Sequence, residues 1–171
     1  AVKNEPRLMP HLHFSVQAGD DLILKRMKRR HSRASVIDCC ARAHALRPRI
    51  SLGADLIAGF PTETEAMFER TLELVRECNL SFLHVFPYSP RGKTPAARMP
   101  LVPNSIRRAR AARLREAGAQ VRADMLQRHI GCEADVLVEQ PDHGRTEHYI
   151  SVRLSDSERP GTICRVRLIG L

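Results

Sequence analysis

Three strand–helix units follow one another in the first half of the chain, and this repetition constrains the fold more than any other feature. From His11 to Val16 (HLHFSV) apolar Leu12, Phe14 and Val16 alternate with polar positions, which predicts a short strand. Gln17-Ala18-Gly19 makes a turn, and Asp20 is placed to cap a short helix carrying Leu22, Ile23, Leu24 and Met27. Ser32 caps a second helix with Val36, Ile37, Cys40, Ala43 and Leu46 on one face, ended by Pro48. The next strand runs near Ile50 to Ala58 and breaks at Gly59-Phe60-Pro61. Thr62 and Glu65 have capping-box spacing, and the helix beyond them aligns Phe68, Leu72, Val75 and Cys78. A third strand spans about Ser81 to Phe86. This order predicts parallel α/β structure. Parallel strands are usually buried on both faces, three alone leave long unpaired edges, and a closed (β/α)₈ barrel needs about 250 residues. The 171 residues are therefore expected to be the trailing part of a larger barrel or partial barrel, with its first strands preceding Ala1.

The character of the chain then changes. Residues 87–103 (PYSPRGKTPAARMPLVP) hold five prolines and no apolar period, so they read as a surface loop. A long basic helix is expected from about Asn104 to His129, with a thin apolar stripe of Ile106, Leu114, Ala117, Val121 and Met125, as in a solvated outer helix. After Gly131 the period switches to two. Residues 133–139, 147–154 and 162–169 read as three strands, with turns at Asp142-His143-Gly144 and Pro160-Gly161. The resulting division is residues 1–103, a linker helix over 104–130, and a small all-β element over 131–171.

Lys and Arg total 28 against 19 Asp and Glu, so the net charge is +9, which favours polyanionic partners without identifying one. No apolar run reaches the length of a membrane span, and no secretory signal opens the chain. The five cysteines, Cys39, Cys40, Cys78, Cys132 and Cys164, form no CxxC pair, which suggests a reducing, cytoplasmic setting and inert thiols.

Polar, Gly/Pro-rich segments stand at three successive strand ends: Gln17 to Gly19, Asp55 to Glu63 and Pro87 to Arg91. In α/β barrels ligands gather at such ends. Glu63 and Glu65 are carboxylates that could act in catalysis, or first-turn residues that favour the helix dipole. His11 and His13 face the same side of a strand and His84 lies in another, but without a supporting carboxylate motif no metal site is expected. Lys25 to Arg33 (KRMKRRHSR) packs six basic residues into nine, either a phosphate site or a solvated helix end. Tyr88 and Tyr149 are the two tyrosines that could stack on RNA bases.

Three segments resemble one known family in order and spacing. PHLHFSVQAGDDLILKRMKRRHSR (Pro10 to Arg33) is similar to the QSG…MxR region of radical S-adenosylmethionine methylthiotransferases. GADLIAGFPTETEAMFERTLELV (Gly53 to Val75) is similar to their DxIxGFPGET region, and HVFPYSPRGKTPAARMP (His84 to Pro100) to their FxYSxRxGTxA region. The tail from about Gly131 resembles the small TRAM β-barrel that ends these enzymes. Within the family, the branch acting on threonylcarbamoyladenosine in tRNA is the most similar.

The resemblance implies a partial radical-SAM α/β barrel followed by a TRAM-like domain, with S-adenosylmethionine and two 4Fe–4S clusters as cofactors of the whole enzyme. It implies methylthiolation of N6-threonylcarbamoyladenosine at position 37 of tRNA, by a monomer. Cofactor contacts carried over are Gln17, Gly19, Arg29, Asp55, Gly59, Glu63, Phe86, Tyr88 and Ser89; RNA contacts are Arg145, Arg153, Arg165 and Arg167. Ala18 stands where many members have Ser, Thr62 where many have Gly, and the cluster-binding CxxxCxxC is absent from these residues, so this stretch alone is expected to be inactive. A ribosomal-protein methylthiotransferase and a non-catalytic RNA-binding module remain the alternatives.

Overall fold

In the computed structural model, which describes residues 2–170, β1 (His11–Gln17), β2 (Ser51–Ala58) and β3 (Leu80–Pro87) form a parallel sheet in that order. Strand alternation gives the sheet two unlike faces. Leu52, Ala54, Leu56 and Ala58 of β2 point one way and are fully buried. They form one core with Val16 and Val85 and with helices α2 (Arg33–Leu46), α3 (Glu65–Glu77) and α4 (Asn104–Gln127). The other face carries His11, His13 and Ser15 of β1, Ser51, Gly53 and Asp55 of β2, and Phe82, His84 and Phe86 of β3. No helix covers it.

Most helix signals act where the sequence places them. Asp20 accepts from the Ile23 amide at 3.0 Å to start α1 (Asp21–Arg26), and Ser32 and Ser35 form a reciprocal capping box for α2. The start of α3 differs. Its cap is Thr64, which accepts from the Met67 amide at 3.3 Å, whereas Thr62 sits in the left-handed region at φ 68° and cannot begin a helix. The basic helix α4 also departs from expectation. It buries Ala111, Leu114, Ala117, Val121 and Met125 against β3 and α3, takes Arg110 inside, and leaves Ile106 exposed. It is a covering layer rather than a solvated outer helix, because β3 is an edge strand whose apolar side needs a partner. The loop before it contains a short 3₁₀ turn, Pro95–Arg98.

Four strands, not three, make the second sheet. β4 (Glu133–Gln140), β5 (His143–Thr146), β6 (Ser151–Arg153) and β7 (Ile163–Arg167) are antiparallel in the order β6-β5-β4-β7. The hairpin turn is at Pro141-Asp142, so His143 opens a strand instead of sitting in a turn. The stretch expected as one strand over 147–154 is broken by Tyr149 at φ 66°, where the Thr146 hydroxyl accepts from the His148 and Ile150 amides at 3.2 Å each.

This second sheet meets the first at the starting ends of the parallel strands. Ser51 donates to the His148 carbonyl at 2.7 Å, the Tyr149 ring stacks on His11 at 4.7 Å, and Ile150 is buried with Phe82 and Met125. His148 lies in this junction beside His129, with ring centroids 4.9 Å apart and its Nδ1 without a hydrogen-bond partner among the described residues. Burial, then the charges of His129, Arg49 and His11, push its pKa down to about 4; the Glu147 carboxylate, 3.8 Å away, does not reverse this. In unfolded chains histidine titrates near 6.5. Between these values the unfolded state binds the proton that folded His148 refuses. Stability is therefore intact above about pH 6.5 and falls by up to about 3 kcal/mol as pH drops through the window towards 4. Urea unfolding followed across this range is expected to show that loss, and His148→Gln to flatten it.

Candidate functional site

Parallel strands end on a common rim, and three of the segments singled out in the sequence meet there. Gln17 closes β1 in the left-handed region at φ 72° and is buried. For a residue with a Cβ that conformation costs roughly 1–2 kcal/mol, and such strain gathers at ligand sites. Gly59 follows β2 at φ +71°, and a Cβ there would lie 2.4 Å from Arg107 Cγ, so any other residue in the turn would be strained and crowded. Tyr88 is tied to the rim by its amide, which donates to the Ala58 carbonyl at 2.8 Å. Its ring meets Phe60 edge-on at 5.3 Å, and its hydroxyl is buried with no partner among the described residues. An orphaned hydroxyl beside a strained strand end leaves a polar ligand something to satisfy.

Other carried-over residues support the rim from behind. The Glu63 carboxylate is almost wholly enclosed. It accepts from the Gly59 amide at 2.8 Å and from Arg110 Nη1 at 3.0 Å, while Arg110 also pairs with Glu65 at 2.9 Å. Burial pushes the Glu63 carboxyl above its ordinary value, against the pull of the Gly59 amide and the Arg110 charge. Glu63 thus fixes the Gly59 turn instead of facing a ligand. Gly19 packs against the backbone of α3, with its amide donating to Thr71 Oγ1 at 2.9 Å. Ala18 is buried with Ile23, Leu24 and Phe60, so the hydroxyl many relatives of the motif carry there would enter a core cluster. Thr62, at positive φ, stands where a glycine would be unstrained. Arg29, Phe86 and Ser89 are exposed, and Arg29 forms no ion pair among the described residues.

Asp55 lies below the rim, on the open face. His13 Nε2 is 3.0 Å and His84 Nδ1 3.1 Å from the same Asp55 oxygen. Burial works upward on the Asp55 carboxyl, but the two imidazole hydrogen bonds outweigh it and hold the pKa below its ordinary value. The sequence held the signal for this grouping. His13 pairs in register with Gly53 and Asp55 with His84, so strict alternation puts all three side chains on one face. His11 takes no part, since it bonds Ser51 Oγ at 2.8 Å.

Of the second sheet's arginines, Arg153, Arg165 and Arg167 are exposed and Arg145 is half-buried, and most are engaged. Arg165 pairs with Glu133 at 3.1 Å and Asp135 at 3.3 Å, Arg167 with Glu133 at 3.6 Å, and Arg145 with Glu139 at 3.0 Å. Arg153 has no such pair among the described residues. Tyr149 is held between His11 and the Arg145 guanidinium, 4.4 Å from its ring centre, so stacking on a base would displace one of them. Cys40 and Cys78 are buried in the helical core, and none of the five cysteines is on the open face, so a 4Fe–4S cluster finds no ligand set in this stretch. The Cys78 thiol and burial together push the Cys40 thiol far up, which leaves it inert.

Comparison with known proteins defines the class. Residues 2–75 match the Radical SAM superfamily. Across nearly all its length the chain is similar to tRNA methylthiotransferases, and the resemblance carried by the three motifs holds. It is 53 % identical over 165 residues to threonylcarbamoyladenosine tRNA methylthiotransferase MtaB of Rickettsia prowazekii, covering 96 % of this chain and 39 % of that protein. The protein of the same name from Thermotoga maritima is 44 % identical over 140 residues, 81 % of this chain and 32 % of its own length. A tRNA-2-methylthio-N(6)-dimethylallyladenosine synthase of Cereibacter sphaeroides is 39 % identical over 171 residues, 96 % of this chain and 39 % of its own. The chain spans about two fifths of the length of the curated relatives it matches.

Two substitutions test the rim's construction. Gly59→Ala is expected to cost at least about 1–2 kcal/mol in urea unfolding, while Gly92→Ala, with nothing within 4 Å, stays near zero. Glu63→Ala removes the acceptor of the Gly59 amide and one of the two carboxylates paired with buried Arg110, Glu65 remaining, and is expected to cost about 1–3 kcal/mol.

Proposed function

We propose that the chain is part of a tRNA methylthiotransferase that adds a methylthio group to N6-threonylcarbamoyladenosine at position 37. The rim of Gln17, Gly59 and Tyr88 carries the reading, because a strained strand end, a glycine turn at positive φ and an unsatisfied hydroxyl stand together. These residues fit S-adenosylmethionine, a polar ligand with an adenine, a ribose and an amino-acid group. When bound, the cofactor supplies radical and methyl chemistry. Gln17 and the backbone at Gly59 hold and orient it, Tyr88 closes one side and offers a proton to an acceptor, and Arg29 supplies a cation for its carboxylate. Glu63 and Arg110 keep the Gly59 turn from relaxing. The cluster thiolates belong to no residue of this stretch, so no electron-transfer step is assigned to it.

Residues 131–171 are read as a TRAM-like domain and, with α4, as the surface that holds tRNA phosphates. The names of the MtaB relatives and of the dimethylallyladenosine synthase favour tRNA over a ribosomal protein as substrate. Mass spectrometry of tRNA nucleosides from cells lacking the full gene decides the matter. The methylthio form of threonylcarbamoyladenosine is expected to vanish and its unmodified precursor to accumulate, with recovery on re-expression. Unchanged levels overturn the reading. Loss of the dimethylallyl derivative, or of a ribosomal-protein modification, reassigns the substrate.

A further inference from the structure

On the open face of the sheet, well below the rim, three consecutive strands each contribute one metal-ligating side chain. His13 comes from β1, Asp55 from β2 and His84 from β3, and their nearest donor atoms all lie within 4.8 Å of one another. We infer that His13, Asp55 and His84 form a binding site for one divalent first-row transition-metal ion, separate from the cofactor rim. Asp55 is three residues short of Ala58 at the end of β2, which at strand rise sets the triad about 10 Å beneath the rim.

The geometry suits an ion. Zinc-type bonds of about 2.0–2.1 Å place neighbouring donors about 3.0 Å apart at octahedral angles and about 3.4 Å apart at tetrahedral ones. The two histidine-to-Asp55 distances, 3.0 and 3.1 Å, fall at the octahedral end of that range. Two imidazoles and one carboxylate are three ligands, which leaves further coordination positions for water or another ligand. At present both imidazoles converge on one oxygen, Asp55 Oδ1, while Ser15 Oγ lies 3.5 Å from Oδ2. A cation can replace the two protons that hold this convergence together.

A second observation concerns shape. The ring of His13 lies over Gly53, where a Cβ would come within 2.4 Å of its Nδ1. The missing side chain makes the room that lets His13 reach Asp55. His84 is the outermost of the three, with 63 % of its side chain exposed, so it can be changed without disturbing a packed core.

The test is a cobalt titration of the metal-stripped chain followed by its visible d–d absorption, with circular dichroism confirming that each variant is folded. One equivalent is expected to bind without a thiolate charge-transfer band. His84→Ala, His13→Ala and Asp55→Asn should each weaken binding at least about tenfold. Cys39→Ser and Cys132→Ser, at the thiols nearest solvent, should leave it unchanged. Absence of stoichiometric binding, binding indifferent to all three ligand substitutions, or a signal lost in the cysteine variants overturns the site and leaves a hydrogen-bonded triad only. None of these outcomes bears on the tRNA reading, which the nucleoside measurement tests separately.

Discussion

A three-stranded parallel sheet has two faces to account for, and helices on one side meet only half of that requirement. The side of Leu52, Ala54, Leu56 and Ala58 is small and aliphatic at every position, so α2, α3 and α4 can lie close against it. On β1 and β2 the other side carries His, Ser, Asp and Gly, and on β3 it carries His84 between Phe82 and Phe86. Burying those polar groups without partners would cost roughly 2–7 kcal/mol each, so an apolar layer can cover only the part where Ser51 and Phe82 meet the second sheet. That face is suited to water, ions or a polar ligand. The Glu63–Arg110 pair belongs to the same logic. It links the Gly59 turn to α4, so the helix that covers the apolar face also holds the rim in shape.

The two ends of the sheet are put to different uses. At the starting ends, His11, Ser51 and Phe82 receive Tyr149, His148 and Ile150 from the second sheet. This contact closes one end and leaves the opposite rim clear. Tyr149 can act as the wedge because its left-handed backbone turns the chain sharply between β5 and β6. The strain at Tyr149 and at Gln17 thus falls at opposite ends of the sheet, one sealing an end and the other shaping the open rim.

Elements governed by local chemistry were legible from residues alone. Asp20 and Ser32 begin their helices as their side chains dictate, and Phe68, Leu72, Val75 and Cys78 are buried as their spacing requires. Misreadings arose where tertiary contacts decide. Thr62 has the spacing of a cap, but the turn after Gly59 forces it into the left-handed region and hands the role to Thr64. The apolar stripe of α4 is thin, and only the uncovered side of β3 explains why the helix is drawn in and why Arg110 goes with it. At the site, Gln17 and Gly59 were legible as strand ends. Glu63 was not legible as a support, because its partner Arg110 is 47 residues away. The triad was partly legible: alternation puts its members on one face, but their convergence depends on register between strands and on the space above Gly53.

The charge of +9 does not translate into a uniformly free basic surface. On β7, Arg165 and Arg167 face Glu133 and Asp135 of the neighbouring strand, so a phosphate arriving there competes with carboxylates already in place. Exposed pairs of this kind are worth only about 0–1 kcal/mol, so the exchange is cheap, but it returns little net attraction. Between α1 and α2, Arg29 and Arg30 have no such partners among the described residues, and Lys25 and Lys28 add to the same turn. A polyanion there releases counterions without first displacing a protein carboxylate. The unpaired positive charge is therefore concentrated at the turn between α1 and α2, whereas the arginines of β7 already face carboxylates.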